Sequence, residues 1–137
     1  MLVAASPEAI EILQNLLGHE IEIVTSNSIE EAVALLGQNI HLVICEIYFA
    51  ESRMFDFLRI AKANPITRNI PFLCFRDTNS SMNLAVYESL HIACKALGAS
   101  AFLDRYEEKN KLGITQADKN LKKYIYDLIS TNSTVIY

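Results

Sequence analysis

Residues 40–47 form a nearly continuous apolar run with one carboxylate, Glu46, near its end. A strand with one wet face alternates apolar and polar residues; a continuous run suits a central parallel strand covered on both faces. The remainder of the chain must therefore supply neighbouring strands and two layers of helix. Four further segments read as strands: residues 1–5, residues 21–25, residues 71–76 and residues 101–103. In the second of these, Ile21 and Ile23 alternate with Glu20 and Glu22.

Helical patterns separate the strands. Ser6-Pro7-Glu8 has an N-cap residue, a proline at the first helical position and an acid in the first turn. Ile10, Leu13, Leu16 and Leu17 follow at helical spacing, and Gly18 ends the segment. Ser28 with Glu31 three residues on predicts a capping box, with Ala32, Leu35 and Leu36 as the apolar stripe and Gly37 as the stop. A third helix is expected over 54–63, stopped by Asn64-Pro65, a fourth over 83–97 and a fifth over 115–129. Residues 77–82 read as a polar loop, 106–113 as a charged loop, and 130–137 as a tail with a β-prone end.

Five β–α repeats with short connections predict an α/β fold: a flavodoxin-like (βα)5 three-layer sandwich with parallel strand order 2-1-3-4-5. The expected organisation is a single domain over 1–129 and a C-terminal tail over 130–137. Ligands and chemistry in such sheets gather at the carboxyl ends of the strands. That rule singles out Ala4, Ala5, Ser6, Glu46, Arg76 and Arg105.

Composition narrows the function classes. In 137 residues the hydrophobic fraction is 51% and the charged fraction 20%, which predicts a packed core rather than disorder. No apolar run approaches the ~20 residues that span a bilayer, and the first residues carry neither a basic segment nor a cleavage pattern. A cytoplasmic protein is expected. A net charge of −4 argues against nucleic-acid binding by bulk electrostatics. Cys45, Cys74 and Cys94 form no CxxC and are expected to act as small buried hydrophobes. His19, His41 and His91 show no metal spacing. No Gly-rich phosphate loop follows the first strand, and no nucleophile–base set is legible, so neither cofactor nor metal nor enzymatic activity is expected.

Three local patterns resemble the receiver domain of bacterial response regulators. His41-Leu42-Val43-Ile44-Cys45-Glu46-Ile47 is similar to the strand that ends at the phosphoacceptor aspartate. Gly98-Ala99-Ser100-Ala101-Phe102-Leu103-Asp104-Arg105 is similar to the Gly-Ala-x-x-Tyr-Leu-x-Lys segment around the fifth strand, and Asn69-Ile70-Pro71-Phe72-Leu73 to the entry into the fourth. In this order on five β–α units, the patterns cover residues 2 to about 129.

The resemblance implies a degenerate site. Ala4 and Ala5 stand where the family carries its metal-binding acidic pair, and Glu46 replaces the phosphoacceptor aspartate. Arg76 replaces the Thr or Ser after the fourth strand, Arg105 replaces the Lys, and Tyr106 replaces the proline after it. Magnesium needs hard oxygen ligands, and alanine offers none. Two readings of the remaining charges stand. Either Arg105 or Arg76 grips Glu46 as a permanent substitute for the phosphoryl–metal pair, or the arginines point to solvent and Glu46 is a partly exposed acid at a strand end. The segments from Arg76 to Gly98 and from Arg105 to Thr115 are longer than the family pattern.

The resemblance also implies an interaction face on the fourth helix, fifth strand and fifth helix. Its candidates are Tyr87, His91, Lys95, Phe102, Tyr106, Lys122 and Tyr126. Phe102 matches the family's switch aromatic, although a Phe in that place more often belongs to the core. Lys119, Lys122 and Lys123 read as a solvated helix face rather than a nucleic-acid site. The expected function is a pseudo-receiver of two-component signal transduction, acting by protein–protein contact without phosphorylation. A histidine kinase, a downstream effector or a second copy is the expected partner. An atypical phosphorelay phosphoacceptor and a small-molecule sensor are the alternatives.

Overall fold

The computed structural model describes residues 1–77 and 82–135, with side chains through residue 130. Five parallel strands lie in the order β2-β1-β3-β4-β5. They are β1 (Leu2–Ala4), β2 (Val24–Ser26), β3 (Val43–Glu46), β4 (Phe72–Arg76) and β5 (Ala101–Asp104). The helices are α1 (Pro7–Leu17), α2 (Ile29–Leu36), α3 (Phe49–Ser52), α4 (Met54–Ala63), α5 (Leu84–Ala96), α6 (Arg105–Leu112) and α7 (Ile114–Val135). The expected fold class and strand order are those observed.

Period-two alternation sorts the strand residues into two cores. Leu2, Ala4, Val43, Cys45, Phe72 and Cys74 face α2, α4 and α5. Val3, Ile44, Leu73 and Phe75 face the opposite layer, with Leu13 and Leu17 of α1 and Leu121 and Ile125 of α7. Every residue of β3 is buried, as its apolar run requires.

Local signals set most helix starts. Ser6 Oγ accepts from Ala9 N–H at 3.3 Å with Pro7 at the first helical position. Ser28 Oγ accepts from Glu31 N–H at 3.3 Å. The reciprocal half of the expected capping box is replaced: Ser28 N–H donates to Ser26 Oγ at 3.2 Å, because β2 ends two residues earlier and brings that hydroxyl into reach.

Four expectations need correction. β2 begins at Val24, which stands opposite Leu2, so residues 21–23 lie outside the paired register despite their alternation. The short α3 was not expected; Ala50, Glu51 and Ser52 hold successive left-handed φ values of 50°, 59° and 66°, a conformation that costs roughly 1–2 kcal/mol per non-glycine residue. The charged segment 106–113 is not a loop but α6. Asp104 caps it by accepting from Glu107 N–H at 2.9 Å, with acids in its first turn and lysines in its last. Finally, α7 continues past residue 129 to Val135, so Thr134 and Val135 are helical. Most of the expected polar loop 77–82, and the β-prone end at Ile136 and Tyr137, lie outside the described residues.

The α6–α7 turn rests on Gly113, at φ 85° and ψ 160° with no atom within 4 Å of an added Cβ. Glycine alone adopts that region cheaply. Gly113→Ala is therefore expected to lower stability by about 1–3 kcal/mol through backbone strain alone. Gly37, at φ −78° and ψ 0°, predicts the opposite sign: Gly37→Ala raises stability by about 0.4–1 kcal/mol. Urea midpoints of the two variants measure both.

Candidate functional site

The carboxyl ends of β1, β3, β4 and β5 converge on one edge of the sheet. Glu46 ends β3 and is 2% exposed. Alternation puts it on the same side as Ile44, facing the start of α1. There its carboxylate accepts from Ser6 N–H at 2.9 Å through Oε1 and from Ser6 Oγ at 3.3 Å through Oε2. The methylene that distinguishes Glu from Asp gives the reach to the neighbouring helix start. A carboxylate at a helix N-terminus is favoured by the unpaired N–H groups there. Ala4 and Ala5, 0% and 1% exposed, pack into opposite cores and bring no oxygen from their side chains.

Neither reading of the charges holds: no grip of Arg76 or Arg105 on Glu46 is formed, neither arginine points to solvent, and Glu46 is buried rather than partly exposed. Both arginines are buried and committed to acids. Arg76 Nη1 donates to Asp104 Oδ2 at 2.9 Å. Arg105 Nη1 donates to Asp77 Oδ1 at 2.6 Å, and its Nε donates to Asp118 Oδ1 of α7 at 2.7 Å. Burial opposes the Arg105 charge, but its hydrogen bonds to Asp118 and Asp77 outweigh it and raise the guanidinium above its ordinary range. Lys109 of α6 adds a third cation 3.5 Å from Asp77.

The sequence carries the reason in two dipeptides. Arg76-Asp77 leaves β4, and Asp104-Arg105 leaves β5, with Arg76 in register with Asp104. The order of charges is reversed between the strands, so each arginine meets an acid. Successive side chains point to opposite faces. One pair therefore falls on the α5 side and the other on the α7 side. Sequence reading took Arg76 and Arg105 singly and passed over Asp77 and Asp104. The reversed dipeptides were the available signal, and they become legible once the register is known.

On the α5 side the network extends outward. Tyr87 O–H stands within donating distance of two carboxylate oxygens, Asp104 Oδ2 at 2.8 Å and Glu107 Oε2 at 2.9 Å. Burial, then these two carboxylates, raise the phenol well above its ordinary range, so it remains a protonated donor. The Arg76 guanidinium lies 5.7 Å from the Tyr87 ring centre and 4.9 Å from that of Tyr106. Tyr87, His91 and Phe102 form an aromatic cluster, with Phe102 at 6.0 Å from Tyr87 and 4.2 Å from His91. Exposed Lys95 borders the same region. The structure thus brings together Tyr87, His91, Lys95, Phe102 and Tyr106. It does not bring Lys122 and Tyr126 there: both bond Glu20, three residues beyond α1, with Lys122 Nζ at 3.0 Å.

A cleft of about 460 Å³ opens beside Glu46, walled by Ser6, Asn27, Ser28, Tyr48 and the left-handed turn at Ala50 and Glu51. Among the described residues, no group of three or more His, Cys, Asp or Glu side chains is arranged to hold a metal ion. No helix among them is long and apolar enough to cross a membrane.

Removing Arg105 takes from buried Asp77 its short ion pair and leaves the longer contact to Lys109; breaking a buried pair from one side costs about 3–5 kcal/mol. Arg105→Ala should show that loss in urea unfolding. Lys123→Ala, which breaks the exposed pair to Asp127, should leave the midpoint unmoved. Glu107 is held below its ordinary 4.5 by Lys111 first and then Tyr87. Its contribution is present above that value and is lost as pH falls through the lowered one, so the acid unfolding limb of Tyr87→Phe should be displaced from that of the parent chain.

No protein-family model and no curated protein sequence matches the chain. Solved structures do. The signal receiver domain of a signal transduction histidine kinase from Syntrophus aciditrophicus matches with a TM-score of 0.71 at 20% identity, over 95% of this chain and 89% of that one. A response regulator from Hahella chejuensis matches with a TM-score of 0.67 at 19% identity, over 99% and 96%. The phosphorylated cyanobacterial phytochrome response regulator RcpA matches with a TM-score of 0.69 at 17% identity, over 90% and 88%. The fold of this chain is the fold of response-regulator receiver domains.

Proposed function

We propose that the chain is a pseudo-receiver that acts in signal transduction by protein–protein contact, independently of phosphorylation and magnesium. The observation that carries this reading is the internal commitment of the carboxyl edge. Glu46 is bonded to Ser6, Arg76 to Asp104, and Arg105 to both Asp77 and Asp118.

The donor set does not fit the metal that the fold family implies. Magnesium favours near-octahedral oxygen coordination. Ala4 and Ala5 contribute no side-chain oxygen, and the nearest buried acids already hold hydrogen bonds. Phosphoryl transfer depends on positioning and on cations that neutralise developing charge. Here the carboxylate at the acceptor position is turned toward α1, and both arginines are bound to other acids.

The interaction side of the proposal rests on α5. Its only buried residue is Cys94, while Leu84, Val86 and Ile92 are 71%, 51% and 69% exposed. A helix apolar on its outer side is a candidate for cover by another surface. The Tyr87–His91–Phe102 cluster adjoins it, and aromatic anchors of this type dominate binding energy. A histidine kinase, a downstream effector in the cytoplasm or a second copy through α5 and β5 is the partner this surface suits.

Two measurements test the proposal. An amide NMR titration with magnesium and then beryllofluoride, a phosphoryl mimic, is expected to leave the signals of Ser6, Glu46, Arg76 and Arg105 unmoved. Saturable shifts running from Glu46 to Phe102 overturn the reading and restore a phosphoacceptor. For the surface, Ile92→Glu is expected to weaken self-association about tenfold or more, the effect of losing one anchor of roughly 1.4 kcal/mol. Sedimentation equilibrium reads it, with circular dichroism unchanged because the side chain is exposed.

A further inference from the structure

β5 is the edge of the sheet. β4 pairs it on one side, and no strand lies beyond it among the described residues. Natural edges are commonly blunted by lysine or proline on the strand. Ala101–Asp104 holds neither, and its one charged side chain, Asp104, is bonded to Arg76. All four residues are half-buried. The ladder shows which backbone groups face the open side. Ile47 N–H donates to Phe75 O at 3.0 Å, so Phe75 faces β3 and the residue before it, Cys74, faces β5. Cys74 stands opposite Phe102. In a parallel ladder such a residue bonds the two neighbours of its opposite number, so Phe102 turns its own N–H and C=O to the open side.

A groove lies on each face beside this edge. On the α5 face a cavity of about 420 Å³ is walled by His91, Ile92, Lys95 and Phe102. On the α7 face one of about 160 Å³ is walled by Leu103, Leu121 and Tyr124. Ile92 and Lys95 are exposed, and Lys95 makes no ion pair among the described residues.

We infer that β5 takes an extended segment of a partner protein as a sixth strand. A large apolar side chain of the segment and an acid two residues away enter the α5 groove, and the small apolar residue between them enters the α7 groove. The inference rests on the reading of this chain as a module that works by protein contact. In strand addition, main-chain hydrogen bonds supply affinity and pockets for alternate side chains supply specificity. Successive side chains of a strand point to opposite faces, which is how the two grooves are disposed. Phe102 packs in the core with α5 and Leu103 in the core with α7. An added residue beside Phe102 therefore falls on the wider groove and its neighbours on the narrower one. The acid answers Lys95. A second copy pairing through its own β5 brings no such acid, because Asp104, the only acid on that strand, already serves Arg76, Tyr87 and the Glu107 N–H.

The peptide acetyl-Thr-Leu-Val-Asp-Thr-amide, titrated into the whole chain and followed by amide NMR, tests this. Saturable shifts centred on Phe102 and Leu103 are expected, with slowed hydrogen exchange of the Phe102 amide. N-methylation of the peptide at alternate residues separates strand pairing from side-chain docking. One phase of methylation should abolish binding and the other leave it, since only one edge of the added strand meets β5. Equal tolerance of both phases overturns the inference. Lys95→Glu, at an exposed position, is expected to weaken binding about threefold, and a peptide with lysine in place of the aspartate to restore it. Ile92→Glu should abolish it. Unchanged affinity in both variants overturns the assignment. So does Phe102 protection that grows with chain concentration and not with peptide, which gives the edge to a second copy. Failure of the peptide while magnesium and beryllofluoride leave Ser6 and Glu46 unmoved overturns the edge site alone. Binding that appears only with beryllofluoride overturns it together with the phosphate-independent reading.

Discussion

The exchange of charges between Arg76-Asp77 and Asp104-Arg105 governs the carboxyl edge of this sheet. In the observed register each arginine meets an acid, one pair on each face. Sliding β5 by one residue either way brings Arg76 against Arg105 or Asp77 against Asp104. Either slip also turns the apolar residues of β5 to the wrong face. Like charges at close range in a dry setting are costly. The edge strand therefore has little freedom in where it pairs, although buried ion pairs add little net stability over an apolar pair. Their value here lies in what they exclude.

The remaining architecture of the edge follows from that pairing. Arg105 reaches Asp118 and so ties the start of α7 to β5. Asp104 serves both Arg76 and the N-terminus of α6, so the same carboxylate closes a strand pair and starts a helix. Tyr87 then links α5 to both Asp104 and Glu107. At β3 the solution differs, because Glu46 is satisfied by Ser6 at the helix N-terminus rather than by a cation. The edge is thus closed by two unrelated devices, one ionic and one made of helix-end hydrogen bonds.

Much of the fold was legible from local pattern. The continuous run at 40–47, the caps at Ser6 and Ser28 and the stop at Asn64-Pro65 each report a physical requirement satisfied within a few residues. The failures have a common cause. Residues 21–23 alternate like a strand, yet pairing starts at Val24 because β1 offers its partner there. Helix α6 escaped notice because it has no apolar stripe; its evidence lay in Asp104, two acids, two lysines and Gly113. Of the site, residue type reveals the charged positions but not their partners: Glu46 bonds Ser6, which neither an arginine grip nor a solvent-facing acid anticipates.

The sequence by itself determined the alternation of strand and helix, the burial of β3 and the absence of side-chain oxygens at positions 4 and 5. Those are properties of residue type and spacing, fixed by hydrophobic burial and backbone geometry within a few residues. Only the tertiary structure decided which acid each arginine holds, which way Glu46 turns, and that Cys45, Cys74 and Cys94 enter one core. Asp77 and Arg105 are separated by 28 residues, and no local pattern records such a distance. Strand register and helix packing bring these groups together, and a single ångström in either sets whether a charge finds a partner.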